Sequence, residues 1–199
     1  MLKSSYTQNL IEAGCDEAGR GCLAGPVFAA AVIFPKGYRN EMLDDSKKLN
    51  LAKREALRIQ IKKDAIAWAV AQVDNEKIDE INILNASILA MQLAVGKLTT
   101  KPQFLLIDGN RFKQYKDIPH ETIVKGDGKF LAIAAASILA KTFRDDFMKK
   151  IDLEFPEYDW KQNKGYPVKK HRQGIAEYGI TPYHRLSFRL NEQIKIPFK

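Results

Sequence analysis

The chain has 199 residues, 45% hydrophobic and 28% charged, with 32 Lys and Arg against 24 Asp and Glu for a net charge of +8. This is enough chain for one domain with a full apolar core, and it excludes a disordered polymer or a small scaffold that needs covalent staples. The longest apolar runs, 24–34 and 131–140, are too short to span a bilayer, so no membrane association is expected. The opening MLKSSYTQNL lacks the apolar stretch of a secretory signal, and Cys15 and Cys22 form no C-x-x-C pair. A reducing cytoplasm fits this better than a disulfide framework or a zinc knuckle.

In chain order, Ile11 to Asp16 reads as a strand that ends at a glycine-rich turn. Pro26 to Phe34 is an apolar run bounded by Gly25 and Pro35, hence a buried strand. Leu51 to Lys63 reads as a helix and Ala65 to Val73 as a third strand. Leu84, Ile88, Met91, Val95 and Leu98 recur in steps of four and three, the mark of an amphipathic helix. Phe104 to Asp108 is a short buried strand, and Thr122 to Val124 is another. Phe130 to Met148 reads as a long helix, and Val168 to Tyr178 as a last helix closed by Gly179. Strands first and then strands alternating with helices imply an α/β protein with a mixed sheet. No repeat or linker is visible, so a single domain over residues 1–199 is expected. Residues 160–199 hold nine Lys and Arg but only two acids. A basic segment on a near-neutral body points to a polyanion partner, although a solvated surface accounts for the charge equally well.

Acids recur at strand ends. Asp16 and Glu17 close the first strand, Asp108 closes Phe104-Leu105-Leu106-Ile107, and Asp127 follows Ile123-Val124-Lys125-Gly126. Singly, Asp108 before Gly109 is an ordinary turn residue, and Asp127 is a candidate helix cap. Four such acids on neighbouring strand ends repel one another unless cations neutralise them. Hard oxygen donors suit Mg²⁺ or Mn²⁺. Adjacent strand residues point to opposite faces, so Asp16 and Glu17 are expected to share a site only if the chain leaves strand geometry there. The stretch Gly19-Arg20-Gly21-Cys22-Leu23-Ala24 matches a dinucleotide fingerprint. That reading fails because Gly25-Pro26 and a β-branched run follow where a helix is required. The glycines instead suggest a turn whose main chain approaches a ligand, including a ribose 2′-hydroxyl, with Arg20 available to a phosphate.

The string CDEAGRGCLAGPVFAAAVIFP resembles the N-terminal signature of bacterial ribonuclease HII, among the type 2 ribonucleases H. LDDSKKLN, IDEINILNASILAMQLA, LLIDGN, VKGDGKFLAIAAASILAKTFRD, NKGYPVKKH and PYHRLSF follow in order, from about residue 14 to 188. The resemblance implies a ribonuclease H-like mixed five-stranded sheet flanked by helices, with a C-terminal helical extension. Residues 155–199 would form a basic substrate-binding part. It implies catalytic and metal-binding roles for Asp16, Glu17, Asp108 and Asp127 with two Mn²⁺ or Mg²⁺ ions. The family's G-R-G turn falls on Gly19, Arg20 and Gly21, and its substrate-sensing tyrosine on Tyr166. Lys47, Lys164, Lys169, Lys170, His171 and Arg172 are expected to bind phosphates.

The implied activity is cleavage of the RNA strand of RNA/DNA hybrids and of duplex DNA 5′ to a single ribonucleotide. Two-metal-ion hydrolysis would leave 3′-hydroxyl and 5′-phosphate ends. A cytoplasmic monomer is expected. The chain departs from the family pattern at Gly128, Phe130 and Asp146, where Ala, Ser and Arg are usual. His184-Arg185 is a family motif to which the sequence assigns no task.

Overall fold

The computed structural model describes residues 2–7, 9–43 and 50–190. Its strands are β1 (Glu12–Ala18), β2 (Val27–Ile33), β3 (Ala67–Val73), β4 (Phe104–Asp108) and β5 (His120–Ile123). They form one sheet in the order β3-β2-β1-β4-β5. The first three are antiparallel neighbours, whereas β4 runs parallel to both β1 and β5. The helices are α1 (Leu51–Asp64), α2 (Asn75–Gly96), α3 (Leu131–Asp152), a short α4 (Trp160–Asn163) and α5 (Lys169–Tyr178). The expected mixed sheet is therefore present, with every strand within a few residues of its predicted span.

β2 is buried at all seven positions. It has neighbours on both edges and helices on both faces, which is why its sequence is continuously apolar rather than alternating. One face packs Ala13, Cys15, Ala29 and Ala31 against Ile78, Met91 and Ala94 of α2. The other packs Ala30 and Val32 against Leu57 and Ile61 of α1 and Ala135, Ile138 and Leu139 of α3. Gly14 lies on this second face. A methyl group there would overlap the α3 backbone at Ala132 and Ile133, so glycine permits the close approach of helix to strand.

α2 begins nine residues before the periodic stretch, because Asp74 caps it by accepting the Lys77 N–H at 2.8 Å. Asn82 breaks it with a left-handed backbone (φ 64°, ψ 162°), and the predicted amphipathic repeat belongs to the second half. By length and composition α2 alone among the described helices could cross a bilayer, a property that buried core helices share. It lies along the sheet instead, with Ile78, Ala86, Met91 and Ala94 buried.

Beyond α3 the chain builds an aromatic cluster. Tyr158 stacks on Trp160 with ring centroids 5.0 Å apart. Trp160 Nε1–H donates to His171 Nε2 at 3.0 Å, and His171 Nε2 lies 3.2 Å from His184 Nε2. His184 Nδ1 faces the Thr181 N–H at 2.9 Å and must accept from it. The tautomers follow: His184 carries its proton on Nε2, which shares the one Nε2 lone pair of His171 with the Trp160 N–H, while His171 Nδ1–H donates to the Tyr166 carbonyl at 3.0 Å. Both rings are neutral, since a further proton would set two donors face to face. Burial and the neighbouring His171 accordingly push the His184 pKa down to about 4.

Two expectations follow. Gly14→Ala should lower the unfolding free energy by more than about 2 kcal/mol, because backbone cannot move aside as a side chain would; a urea midpoint within error of wild type contradicts this. The unfolded chain protonates His184 near pH 6.5, whereas the folded chain resists until about pH 4. Its contribution is therefore intact above pH 7 and declines on acidification, by up to about 1.4 kcal/mol per pH unit. The stability gap between wild type and His184→Gln should narrow between pH 7 and pH 5, as read by urea unfolding at each pH. A constant gap contradicts the assignment.

Candidate active site

Asp16 lies on β1 opposite Ala30 of β2, and Glu17 lies opposite Ala29. On its other edge β1 pairs with β4 only as far as Cys15. The two acids thus project where β1 outruns its parallel neighbour. Both remain in strand register, so the departure from strand geometry looked for at these two residues is absent there. The departure comes at Gly19, whose φ is +98°.

Asp16 is buried on the α3 side. Its Oδ1 accepts the Glu17 N–H at 2.7 Å, and the Ser137 hydroxyl of α3 also bonds its carboxylate. Burial, then the charges of Glu17 and Asp108, hold the Asp16 carboxyl well above the usual carboxylate range. Burial also raises Glu17, against the pull of Arg20, whose Nη1 lies 3.1 Å from Glu17 Oε1. Glu17 Oε2 is buried and has no hydrogen-bond partner.

Asp108 ends β4. Its Oδ1 accepts the Gly126 N–H at 2.6 Å, which draws the 3₁₀ turn Gly126–Gly128 against the strand end. Asp127, in that turn, is buried. It does not cap α3; the cap position is Phe130, which has no side-chain cap. The sheet and this turn therefore converge on one end of the molecule, and Asp16, Glu17 and Asp108 feel one another's charge. Among the described residues no three His, Cys, Asp or Glu side chains already stand in chelating geometry. The donor set nevertheless suits a hard divalent cation: carboxylates raised by burial and mutual repulsion, with one buried oxygen lacking any partner.

The glycine turn is held from behind by two buried guanidinium groups. Arg185 Nη2 donates to the carbonyls of Gly19 (2.7 Å) and Gly25 (2.8 Å), Nη1 to Arg20 (2.9 Å), and Nε again to Gly25 (2.9 Å). Arg144 of α3 donates to the carbonyls of Pro26 (3.0 Å), Ala24 (3.1 Å) and Lys164 (2.8 Å). A side chain at Gly19 would collide with Arg144 Nε, so both its positive φ and its lack of Cβ are required. Leu23 N–H donates to the Gly165 carbonyl at 2.7 Å and brings Tyr166 alongside. The Tyr166 ring comes within 3.9 Å of the Cβ position of Gly21, and its hydroxyl bonds the buried Cys22 thiol. The structure thus joins Gly19, Arg20, Gly21 and Tyr166, which lie far apart in sequence.

The basic residues are less uniform. Lys169 and Lys170 are exposed, and Lys170 pairs with Asp159 at 3.2 Å. Lys164 is half-buried, with its Nζ on the Lys161 carbonyl. Arg172 Nη1 donates to the Leu190 carbonyl at 3.0 Å. His171 does not bind phosphate from its position in the aromatic cluster: it is fully buried and both ring nitrogens are engaged within the protein. Lys47 lies outside the described residues. Asp146 turns outward to Arg58 at 2.5 Å and Lys149 at 3.3 Å.

Sequence reasoning passed over Ser137 and Arg144, and it noted Arg185 in a motif without assigning it a task. Ser137 had a signal, since it is the lone polar residue between Leu131 and Lys141 on a helix otherwise buried there.

The family model for ribonuclease HII matches residues 13–191. The chain is similar to a ribonuclease HII of Bacteroides fragilis, 66% identical over 96% of this chain and 94% of that one. It is also similar to a ribonuclease HII of Phocaeicola vulgatus, 62% identical over the whole of both. Among solved structures it resembles the ribonuclease HII of Archaeoglobus fulgidus in complex with PCNA. That likeness has a TM-score of 0.76 at 25% identity and covers 94% of this chain and all of that one. The ribonuclease H2 of Pyrococcus horikoshii shares the fold, with a TM-score of 0.75 at 24% identity over 90% and 94% of the two chains. By sequence and by fold, the chain belongs to the ribonuclease HII family of nucleases.

Proposed function

We propose that this nuclease hydrolyses the RNA strand of RNA/DNA hybrids and cuts duplex DNA 5′ to a single embedded ribonucleotide, leaving 3′-hydroxyl and 5′-phosphate ends. The observation that carries the reading is that buried, mutually repelling carboxylates at the end of β1 lead directly into a main-chain turn flanked by Tyr166. The first feature suits phosphodiester hydrolysis and the second suits a sugar.

Asp16, Glu17, Asp108 and Asp127 would hold two divalent cations, Mn²⁺ or Mg²⁺. Such ions, when bound, lower the pKa of an attacking water and stabilise charge on the leaving oxygen. The protein's own part is to keep these carboxylates fixed. The Glu17 and Gly126 N–H groups and the Ser137 hydroxyl hold Asp16 and Asp108 before any substrate arrives. Arg20, exposed and tethered to Glu17, can turn to a phosphate.

The Gly19-Arg20-Gly21 main chain would read the 2′-hydroxyl, which donates and accepts as DNA's C2′ cannot. Tyr166 would hydrogen-bond that group or pack on the neighbouring sugar. Lys164, Lys169, Lys170 and Arg172, in the basic part over 155–199, would bind phosphates without regard to sequence, as would Lys47. The enzyme would act in the cytoplasm as a monomer.

Asp16→Asn and Asp108→Asn should each reduce cleavage of an end-labelled duplex bearing one ribonucleotide by on the order of 10²-fold or more, with duplex binding retained. Chelation should stop the wild type likewise. A variant that cuts at wild-type rate removes that residue from the site. Tyr166→Ala should impair cutting at a lone ribonucleotide; unchanged single-site activity contradicts its sensing role.

A further inference from the structure

Arg185 is fully buried, and its guanidinium group donates to the main-chain carbonyls of Gly19, Arg20 and Gly25. A buried cation without a counter-ion is costly, so its partners must compensate. Here they are main-chain carbonyls, and most belong to the glycine turn. A trans peptide points its C=O and the next N–H in opposite directions. Arg185 draws the Gly19 and Arg20 carbonyls inward, so the N–H groups of Arg20 and Gly21 must face outward. Among the described residues neither N–H donates to a main-chain acceptor. Cys22 N–H is by contrast turned back on the Gly19 carbonyl, at 3.5 Å.

We propose that Arg185 is the positioning residue that gives this nuclease its selectivity for a lone ribonucleotide: by holding two carbonyls inward it aims two adjacent N–H donors at the 2′-hydroxyl. The inference rests on the ribose-reading role of the turn. The segment carrying Arg185 is itself anchored. Asp79 of α2 accepts the Leu186 N–H (2.8 Å), the Ser187 N–H (2.9 Å) and the Ser187 hydroxyl (2.5 Å). Asn75 Nδ2 donates to the Pro182 carbonyl at 2.8 Å, and Arg185 N–H donates to the Leu23 carbonyl at 2.8 Å. A chain of polar contacts therefore runs from the start of α2 through 182–187 to the turn.

Selectivity separates this role from a merely structural one. A continuous RNA strand offers a 2′-hydroxyl in every register, whereas a lone ribonucleotide offers one. A turn with misaimed donors should lose activity on the second far more than on the first. Arg185→Lys keeps the charge but cannot reach three carbonyls at once. Asp79→Ala loosens the same segment from a half-buried position and serves if the first variant is poorly folded.

The test compares kcat/KM on a DNA duplex with one ribonucleotide against an RNA/DNA hybrid, alongside thermal melts. Arg185→Lys should lower the ratio of the two by about tenfold or more, and Asp79→Ala should lower it less in the same direction. Gly21→Ala is the control for the turn itself, since its Cβ would meet nothing closer than the Tyr166 ring at 3.9 Å. If Gly21→Ala lowers the ratio while Arg185→Lys and Asp79→Ala reduce both activities in parallel, the turn reads ribose but Arg185 does not aim it, and the inference is overturned. If none of the three changes the ratio, the ribose-reading role of the turn fails first.

Discussion

The structure turns on a repulsion. Glu17 and Asp108 come close enough to Asp16 to raise its pKa, Asp108 raises that of Glu17 as well, and Asp127 is buried in the turn whose Gly126 N–H binds Asp108. Carboxylates do not gather in this way without compensation. The protein compensates partly with an N–H to each of Asp16 and Asp108 and a hydroxyl to Asp16, and with a single exposed arginine for Glu17. It leaves Glu17 Oε2 buried and unsatisfied. The remaining charge is the reason to expect doubly charged ions. It also explains why the sheet is built as it is: β1 must extend past β4 to bring the acids to an open edge, and Gly14 must lack a side chain so that α3 can bring Ser137 to Asp16.

The glycine turn answers the opposite problem. Its carbonyls are tied down by Arg185, and those of the chain just beyond it by Arg144, two buried cations that donate to main-chain oxygens. Burial, and then the charge of Arg144, bring the Arg185 pKa down to about 10, which still leaves it charged at neutral pH. Positive charge is thus fixed behind a turn expected to face a phosphodiester, next to carboxylates expected to face metal ions. The aromatic cluster of Tyr158, Trp160, His171 and His184 supports this arrangement, because His171 binds the Tyr166 carbonyl and His184 directly precedes Arg185.

Most of the sheet was legible in the sequence because β2, β3 and β4 are short apolar runs closed by proline or an acid, whereas β5, His-Glu-Thr-Ile, is mostly polar and its span was placed two residues late. The strand-end acids were legible for the same reason: a charge after a buried run has few ordinary explanations when it recurs. What sequence could not supply was the partner of each buried polar group. Arg144 read as one more basic residue in a basic chain, and Arg185 as part of a motif without a task, since most of their partners are carbonyls more than a hundred residues away. His171 was grouped with Lys169, Lys170 and Arg172 by adjacency. The spacing of His171, Gly174 and Ile175 on α5 instead marks the inward face of a helix, and following that period would have placed it in the core. The start of α2 was missed because its first turns are polar and the left-handed Asn82 interrupts the period.

The central claim is that these carboxylates exist to cage cations. Crystals soaked in Mn²⁺ and measured at the manganese absorption edge test it most directly. The account predicts anomalous peaks bonded to oxygens of Asp16 and Asp108, with Glu17 and Asp127 drawn in around them. A well-occupied map with manganese elsewhere and none among these four side chains would contradict it.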